Sequence, residues 1–308
     1  MKLVSYNIRF GLGLDQQVDL GRIAETVQDA DIIALQEVER FWEHSGMTDQ
    51  PEILGNHLQE FYWAYCPAFD VDASTRNDEG TVLNRRRQFG PMLLSRWPIR
   101  MSRLIVFPKL GTVNSLNMDT GAIECVVDTP SGPLKVYSLH LSAVSPRERL
   151  LQIDRLLEFH RNARVSGGAW TGGAIDAKVN PVEAQHMAML NWNNGETAPV
   201  MPTETVVMGD FNSVPDCEEY DRIVGALDPC NGRVEHLDGF VDSWTSARQR
   251  PHDRTSWWPD PPEREPGHGL CLDYCFLSPC LAQQVEQAWV DYSANGSDHR
   301  PYWVELGF

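Results

Sequence analysis

The chain has 308 residues, 42% of them hydrophobic, which is enough to bury a large core in one or two domains. Its formal net charge of −17 disfavours nucleic-acid binding, because that affinity comes from Lys and Arg on phosphates. No stretch approaches the roughly 18 uncharged apolar residues of a membrane span, so we expect none.

The cysteines and the N-terminal segment both bear on the compartment. The seven cysteines are odd in number and lack the spacing of a zinc site, which favours free thiols. Met1–Asn7 has the composition of a strand and lacks the apolar core and cleavage site of a signal peptide. These features favour the cytoplasm, and no obligate protein partner is evident.

The chain begins with a strand, a helix and a strand in quick succession. Lys2–Ile8 alternates as a strand does, and Asp19 is placed to cap a helix that runs to about residue 29. Ile32–Leu35 is a short buried strand that ends just before Glu37. This order is typical of parallel neighbouring strands.

The next part of the chain is mixed. Its predicted elements are a helix at Pro51–Glu60, strands at Tyr62–Tyr65, Gln88–Leu94 and Met101–Phe107, and polar loops at Asp70–Arg87 and Lys109–Thr120. The densest basic cluster, Arg85–Arg87, closes the first loop, and we interpret it as solvated rather than as a phosphate-binding surface.

A hairpin is predicted from Gly121–Val127 and Leu134–Leu141, on either side of a Pro-Ser-Gly turn. The expected register places Glu124 opposite Ser138. Glu124 would then share a face with His140 as its diagonal neighbour. A slip of one residue would separate the pair.

The second half repeats the order of strand, helix and strand. A helix at Pro146–Asn162 follows the hairpin, a further helix spans Asn180–Asn191, and Thr205–Met208 is a buried strand. We therefore predict two β-sheets, related by a rough pseudo-symmetry, packed face to face and covered by helices. One domain would account for residues 1–308.

The C-terminal third adds short elements and one long loop. The predicted elements are a helix at Glu218–Leu227, strands at Phe240–Thr245, Leu270–Leu277, Val285–Tyr292 and Tyr302–Leu306, and a loop at Ser246–Gly269. The loop contains Trp257 and Trp258. Like Trp42 and Trp63, which also lie in or near loops, they could stack on a base, pack on a lipid or sugar, or simply bury a long loop.

Polar side chains recur where the predicted strands end. Asp210 and Asn212 are two apart after an apolar run, so their side chains should point the same way. A carboxylate there can hold a metal or accept a proton, and an amide can bind a phosphoryl oxygen. The full set of polar strand-end residues is Asn7, Glu37, His140, Asp210, Asn212, Asp273, Asp298 and His299.

Six short blocks carry these residues, in the order Ser5–Arg9, Ala34–Val38, Ser138–Leu141, Gly209–Asn212, Leu272–Tyr274 and Ser297–Pro301. With these blocks the whole chain resembles the endonuclease/exonuclease/phosphatase superfamily, which includes deoxyribonucleases, abasic-site endonucleases, neutral sphingomyelinases, inositol-polyphosphate phosphatases and deadenylases. The resemblance implies a four-layer α/β sandwich, two mixed β-sheets flanked by helices, and metal-dependent hydrolysis of phosphoesters.

The resemblance also implies a role for each residue. Glu37 would be the main ligand of Mg²⁺ or Mn²⁺, with Asn7 beside it and Asp298 as a further ligand or supporting group. Asp210 would orient or deprotonate the attacking water, and Asn212 would bind a phosphoryl oxygen.

Two histidines complete the implied site. His299 would contact the scissile phosphate, with Asp273 fixing its tautomer and charge. A protonated His140 would stabilise the leaving oxygen, and Glu124 would raise its pKa if the hairpin register holds. A core histidine on an apolar strand is the alternative interpretation of His140.

Three functions are compatible with this set. The favoured one is a phosphodiesterase for a small or lipid-derived phosphoester, acting by in-line attack of water. The second is a DNA or RNA nuclease, including one that acts on single strands, with Trp257 and Trp258 as substrate contacts. The third is a non-catalytic binding module that has kept the fold.

Overall fold

The computed structural model describes residues 1–173, 175–191, 194–259 and 269–307. Within these ranges the strands are β1 (Lys2–Asn7), β2 (Ile32–Arg40), β3 (Tyr62–Tyr65), β4 (Phe69–Asp72), β5 (Thr75–Arg76), β6 (Val82–Leu83), β7 (Arg86–Ser95), β8 (Ile99–Val106), β9 (Gly121–Thr129), β10 (Gly132–His140), β11 (Thr205–Asp210), β12 (Leu227–Asp228), β13 (Gly232–Arg233), β14 (Val241–Asp242), β15 (Asp273–Leu277), β16 (Val285–Val290) and β17 (Tyr302–Leu306). The α-helices are α1 (Leu20–Val27), α2 (Gln50–His57), α3 (Pro146–Ser166), α4 (Pro181–Leu190), α5 (Glu218–Val224) and α6 (Ser243–Ser246), and short 3₁₀ helices lie at Arg9–Gly11 and Pro279–Gln284.

Two large sheets organise these strands. The first has the order β16-β17-β1-β2-β7-β3, with β4 also paired to β7, and the second has the order β14-β15-β11-β10-β9-β8. The pairs β1–β2 and β10–β11 are parallel, and the other pairs in both sheets are antiparallel. The predicted parallel arrangement of each half is therefore confirmed.

The two sheets pack face to face around a central apolar core. Two further apolar cores lie between the sheets and the helices that cover their outer faces. Leu3 and Ala34 of the first sheet meet Val136 and Met208 of the second in the central core. Residues on the opposite faces of the same strands pack on α1 and α2 on one side. On the other side they pack on α3 and α5. The predicted four-layer α/β sandwich is confirmed.

This topology gathers the polar strand ends at one edge of the sandwich. The carboxyl ends of β1 and β2 lie side by side, as do those of β10 and β11. The strand β15 runs antiparallel to β11, so its first residue, Asp273, lies opposite the last residue of β11, Asp210. Antiparallel pairing of β17 with β1 brings the segment before β17 to the same edge.

The strand β2 continues beyond the predicted end at Leu35. A register shift between Leu35 and Val38 marks a bulge, and pairing with β7 resumes as far as Arg40. Within the bulge the backbone of Glu37 has φ 58°, and the buried amide of Gln36 donates to Ser138 Oγ of the other sheet at 3.0 Å. The bulge re-aims the side chains that follow the buried run.

The segment predicted as a loop at Asp70–Arg87 contains strands: β4 and the start of β7 extend the first sheet, and β5 and β6 form a separate two-stranded sheet. The strands β4, β5 and β6 and the start of β7 lie within it, and Arg86 Nε donates to Asp70 Oδ1 at 2.6 Å across the β4–β7 pair. The predicted strand at Phe240–Thr245 is also shorter, because Asp242 caps α6. Of the predicted loop Ser246–Gly269, residues 260–268 lie outside the described residues.

The predicted register of the β9–β10 hairpin was wrong by one residue. Thr129 pairs with Gly132 across a two-residue turn, so Glu124 lies opposite Tyr137 rather than Ser138. The predicted register required an odd number of turn residues. A slip of one residue reverses the face of every side chain on the strand, so Glu124 points away from His140.

Gly209 permits the close approach of β10 and β11 next to Asp210. A Cβ at this position would lie 2.1 Å from the backbone oxygen of Leu139. We expect Gly209→Ala to lower the free energy of unfolding by about 3 kcal/mol or more, since backbone must move to relieve the clash. Chemical denaturation measures the loss, with Gly111→Ala, where a Cβ meets nothing within 4 Å, as the control. Equal stability of the two variants would contradict this account.

His160 on α3 makes stability dependent on pH. Burial and the nearby charges of Lys135 and Arg161 lower its pKa to about 4, against the weaker effect of Asp238. An unfolded histidine has a pKa near 6.5. Between pH 4 and pH 6.5 the unfolded chain therefore binds a proton at this residue, and the folded chain does not. Stability should therefore fall as the pH drops from 6.5 to 4.

In His160→Gln the loss of unfolding free energy between pH 6.5 and pH 4 should be smaller by roughly 1 to 2 kcal/mol, a figure reduced to allow for the partial exposure of His160. Urea denaturation at several pH values measures it. His186→Gln, which replaces a histidine with 59% side-chain exposure on α4, is the control. An identical pH dependence in His160→Gln and the wild type would contradict the assignment.

Candidate active site

The side-chain amide of Asn7 lies at the centre of the gathered strand ends. Its Nδ2 donates to Glu37 Oε1 and to Asp210 Oδ2, each at 3.0 Å, and lies 3.5 Å from His299 Nε2. Its Oδ1 accepts the backbone N–H of Arg9 at 3.0 Å, which fixes the amide orientation. We call Asn7, Glu37, Asp210 and His299 the Asn7 cluster. It joins carboxylates from both sheets through one neutral donor.

Asp210 is 1% exposed and has polar partners on both oxygens. Its Oδ1 accepts the backbone N–H of Asn212 at 2.9 Å. Its Oδ2 lies 3.5 Å from His140 Nε2 and 3.6 Å from His299 Nε2. One carboxylate oxygen therefore faces two imidazoles, so a water or phosphoryl group beside it would meet acidic and basic groups together.

His299 is held by a buried carboxylate on its other nitrogen. Its Nδ1 lies 2.8 Å from Oδ2 of Asp273, which is fully buried. The backbone N–H groups of Leu272 and Asp273 both donate to Ser256 Oγ at 3.0 Å, which fixes the start of β15. Burial alone would lower the pKa of His299, but the carboxylates of Asp273 and Asp210 outweigh it and raise the pKa to about 10.

Left-handed backbone conformations concentrate around these residues. Arg9, Phe10, Glu37 and Asn212 have φ of 44°, 46°, 58° and 49°. Such a conformation costs a non-glycine residue on the order of 1 kcal/mol, and it persists only where the surroundings impose it. Asn212 is additionally anchored by Nδ2, which donates to the Leu141 carbonyl at 3.0 Å.

His140 reaches the site without Glu124. Its Nε2 faces Asp210, and its Nδ1 is buried without a hydrogen-bond partner among the described residues. Glu124, also fully buried, accepts from Tyr137 Oη at 2.5 Å and from Arg103 Nε on the opposite face of the sheet. The predicted pairing of Glu124 with His140 was therefore wrong, for the reason of register given above.

Asp298 lies beside the Asn7 cluster, in contact with Arg9 and with Trp257. Its Oδ2 is 3.3 Å from Trp257 Nε1 and 3.8 Å from Arg9 Nη1. The ring of Trp258 packs against Tyr292 at 5.8 Å between centroids, with the guanidinium of Arg300 5.4 Å from its centre. Both indoles are half-buried, and contact of either with substrate remains a prediction.

Two groups of side chains have the chemistry to hold a metal ion. The ligand atoms of Asp210, Asp273 and His299 all lie within 4.8 Å of one another. The half-buried carboxylate of Glu37, oriented by Asn7, offers the hard oxygen donors that Mg²⁺ or Mn²⁺ prefers. We favour Glu37, because its carboxylate is more accessible, whereas Asp273 is fully buried and its Oδ2 is already engaged by His299 Nδ1. The donor set fits a hard divalent cation.

A pocket of about 290 Å³ opens beside Glu37 and His140. Its other walls include Phe10, Trp42, His44, Phe89, Leu116 and Met118, and we call it the aromatic pocket. Trp42 was predicted only as a possible stacking residue, and the pocket itself was not predicted from the sequence. The sequence pattern that could have indicated the pocket is the Phe-Trp-Glu-His run at 41–44, four residues after Glu37. The rings face the site because of the bulge in β2 and its pairing with β7, which this run does not encode.

Comparisons with known proteins agree with this geometry. Residues 4–299 match the model of the Endonuclease/Exonuclease/phosphatase family. No protein with a curated description matches the chain at the significance we required. Among the described residues no helix combines the length and apolar character needed to cross a membrane.

Several solved structures share the fold at low sequence identity. An endonuclease/exonuclease/phosphatase from Beutenbergia cavernae is 20% identical with a TM-score of 0.61, over 100% of this chain and 72% of its own. A mannosyl-6-phosphatase from Bacteroides thetaiotaomicron is 17% identical with a TM-score of 0.60, over 100% of both chains. A 3'-5' exonuclease from Neisseria meningitidis is 16% identical with a TM-score of 0.56, over 100% of both chains. With a family model that covers residues 4–299 and a site built from the predicted strand ends, the chain belongs to the Endonuclease/Exonuclease/phosphatase family.

Proposed function

We propose that this protein is a divalent-metal-dependent phosphodiesterase that hydrolyses a small or lipid-derived phosphoester by in-line attack of water. The observation that carries the proposal is the Asn7 cluster, in which the carboxylates of Glu37 and Asp210 and the imidazole of His299 meet around one amide. Members of the family are metal-dependent hydrolases of phosphoesters, which sets the reaction class.

The metal would be held by Glu37, with Asn7 orienting its carboxylate and Asp298 as a further or supporting ligand. A bound Mg²⁺ or Mn²⁺ would supply charge to a phosphoryl oxygen as a Lewis acid. The contacts of Asp298 with Trp257 and Arg9 favour a supporting role for it.

The remaining groups would handle the proton and the developing charge. Asp210 would orient the attacking water and accept its proton, and His299, fixed by Asp273, would donate to an equatorial oxygen of the phosphoryl group. Asn212 would bind a second oxygen. His140, across Asp210 from His299, would stabilise the leaving oxygen through Nε2, without contact from Glu124.

The charge of the chain favours a small substrate over duplex nucleic acid. A formal net charge of −17 repels a polyanion at long range. All seven cysteines are unpaired, which supports the reducing cytoplasm as the proposed compartment.

A nuclease is the second candidate, and one observation favours it. Arg85 and Arg87 place their guanidinium groups 5.3 Å from the ring centre of Phe41 and 5.6 Å from that of Trp42, forming a basic and aromatic edge. Such an edge suits a single strand. Turnover of an oligonucleotide that falls steeply with rising salt would favour this function, whereas activity on bis-p-nitrophenyl phosphate that nucleic acid does not inhibit would favour the first.

Loss of the catalytic groups tests the mechanism. We expect Asp210→Asn and His299→Gln each to lower kcat for bis-p-nitrophenyl phosphate at least about a hundredfold, because each removes a group that acts in the transition state. Circular dichroism checks the fold, and the exposed-site variant His236→Gln is the control. Wild-type turnover in either folded variant would rule out the mechanism.

Metal binding is tested separately from turnover. We expect Glu37→Gln to weaken Mn²⁺ binding at least about tenfold, measured by electron paramagnetic resonance, because it removes the charged oxygen ligand. Chelation should abolish turnover, and Mg²⁺ or Mn²⁺ should restore it in the wild type. Glu235→Gln, at an exposed position, is the control. Unchanged Mn²⁺ affinity in Glu37→Gln would place the ion elsewhere.

A further inference from the structure

We propose that the aromatic pocket binds a planar aromatic ring on the leaving group of the substrate. The proposal rests on the phosphodiesterase function above and narrows its substrate class. The substrate would be a phosphoester in which one or two fused rings lie close to the scissile bond. The shared chemistry covers an aryl alcohol and a nucleobase.

The position of the pocket assigns it to the leaving group. Glu37 and His140 both form part of its wall, so a group bound there is next to the proposed phosphoryl position. His140 faces the Asp210 oxygen from the pocket side, and the segment after it, Leu141–Val144, continues the wall. A ring held there would join the oxygen that His140 stabilises.

The walls favour a flat ring over a chain. The ring of His44 lies 4.5 Å from Phe10 and 5.3 Å from Trp42 between centroids, and Phe89 lies 6.2 Å from His140. These five rings offer faces and edges at several angles, which suits stacked and edge-to-face contacts. A flexible chain gains less from such walls and loses more conformational freedom on binding.

The rings are fixed before any ligand arrives. Trp42 Nε1 donates to the Gln88 carbonyl at 2.8 Å, and the Trp42 ring also packs on Phe69 at 5.5 Å. His44 Nε2 lies 3.0 Å from Oε1 of Glu39, which is 2% exposed and also accepts from Ser45 Oγ at 2.8 Å. A preorganised pocket loses little entropy when it binds.

The volume sets the size of the ring. An apolar cavity of about 150 Å³ holds one benzene molecule. The aromatic pocket, at about 290 Å³, is about twice as large and fits one bicyclic ring or a single ring with its linker.

The loop between β8 and β9 provides a cover for the pocket. Leu116 lines it and is 91% exposed, so its apolar side chain is available to contact a bound ring. The neighbouring Asn117 anchors the loop, since its Nδ2 donates to the Leu110 carbonyl and to Glu148 Oε2, each at 2.8 Å. A bound ring would bury Leu116 against Trp42.

Binding of phosphate monoesters that retain the bond between ring and phosphate tests the pocket by affinity rather than by turnover. Isothermal titration calorimetry in Mg²⁺ would compare inorganic phosphate, 2-naphthyl phosphate, hexyl phosphate and adenosine 5'-monophosphate. We expect the wild type to bind 2-naphthyl phosphate at least about tenfold more tightly than inorganic phosphate. Tighter binding of the nucleotide would also support a ring site and identify the ring as a nucleobase. Hexyl phosphate equal to 2-naphthyl phosphate would overturn the planar-ring assignment.

Variants locate the preference in the pocket. Trp42→Ala should reduce the naphthyl preference to below about threefold with inorganic phosphate unchanged, and Leu116→Ala should reduce it about threefold. Leu116→Ala keeps the test decisive if Trp42→Ala fails to fold. Trp63→Ala, a tryptophan on β3 that is 37% exposed and outside the lining, is the control. A naphthyl preference that survives in both folded pocket variants would overturn the proposal.

Turnover on the same preparations separates this proposal from the function it rests on. Hydrolysis of bis-p-nitrophenyl phosphate without any naphthyl preference would overturn the pocket assignment alone. A Trp42-dependent naphthyl preference without hydrolysis of any phosphoester would overturn the phosphodiesterase function and leave the ring site standing.

Discussion

The hydrogen bonds of Asn7 are the interactions on which the site depends. One amide nitrogen carries two protons, and here each goes to a carboxylate from a different sheet. A flipped amide would point its oxygen at both carboxylates, and the N–H of Arg9 on the opposite side prevents that flip. The neutral donor therefore sets the spacing of two negative groups that would otherwise repel each other.

Charge balance at this edge follows from burial. Asp210 and Asp273 are almost fully excluded from water, and burial of a charged carboxylate is strongly destabilising unless a partner compensates for its lost hydration. His299 lies between them and carries the compensating positive charge, so the three groups form a single electrostatic unit. The sandwich core supplies the low-dielectric setting in which that unit is strong, because the two sheets meet just behind it.

The sequence predicted the fold and most of the site for an identifiable physical reason. Apolar runs that end in polar residues mark strand ends, and parallel pairing places Asn7 beside the strand of Glu37 and His140 beside Asp210. His299 precedes an antiparallel strand, and its place in the site was implied by the family resemblance of its block. The position of Glu124 could not be predicted, because hairpin register depends on whether the turn has two or three residues, and Pro130 and Ser131 leave both open. The aromatic pocket depends on a bulge and on rings from three distant segments, which no local pattern encodes.

Ser256 holds in place the start of the segment that carries Trp257 and Trp258. Its hydroxyl accepts from two successive N–H groups at the start of β15, and its carbonyl accepts from Arg300 N–H at 2.7 Å, next to His299. This single buried residue connects both halves of the Asp273–His299 pair. Trp257 and Leu270 close the loop just beyond Ser256, since each donates its backbone N–H to the carbonyl of the other at 2.9 Å. Mutation of the residues between them is thereby separated from the Asp273–His299 pair, so selection on the loop sequence and selection on the pair can act independently.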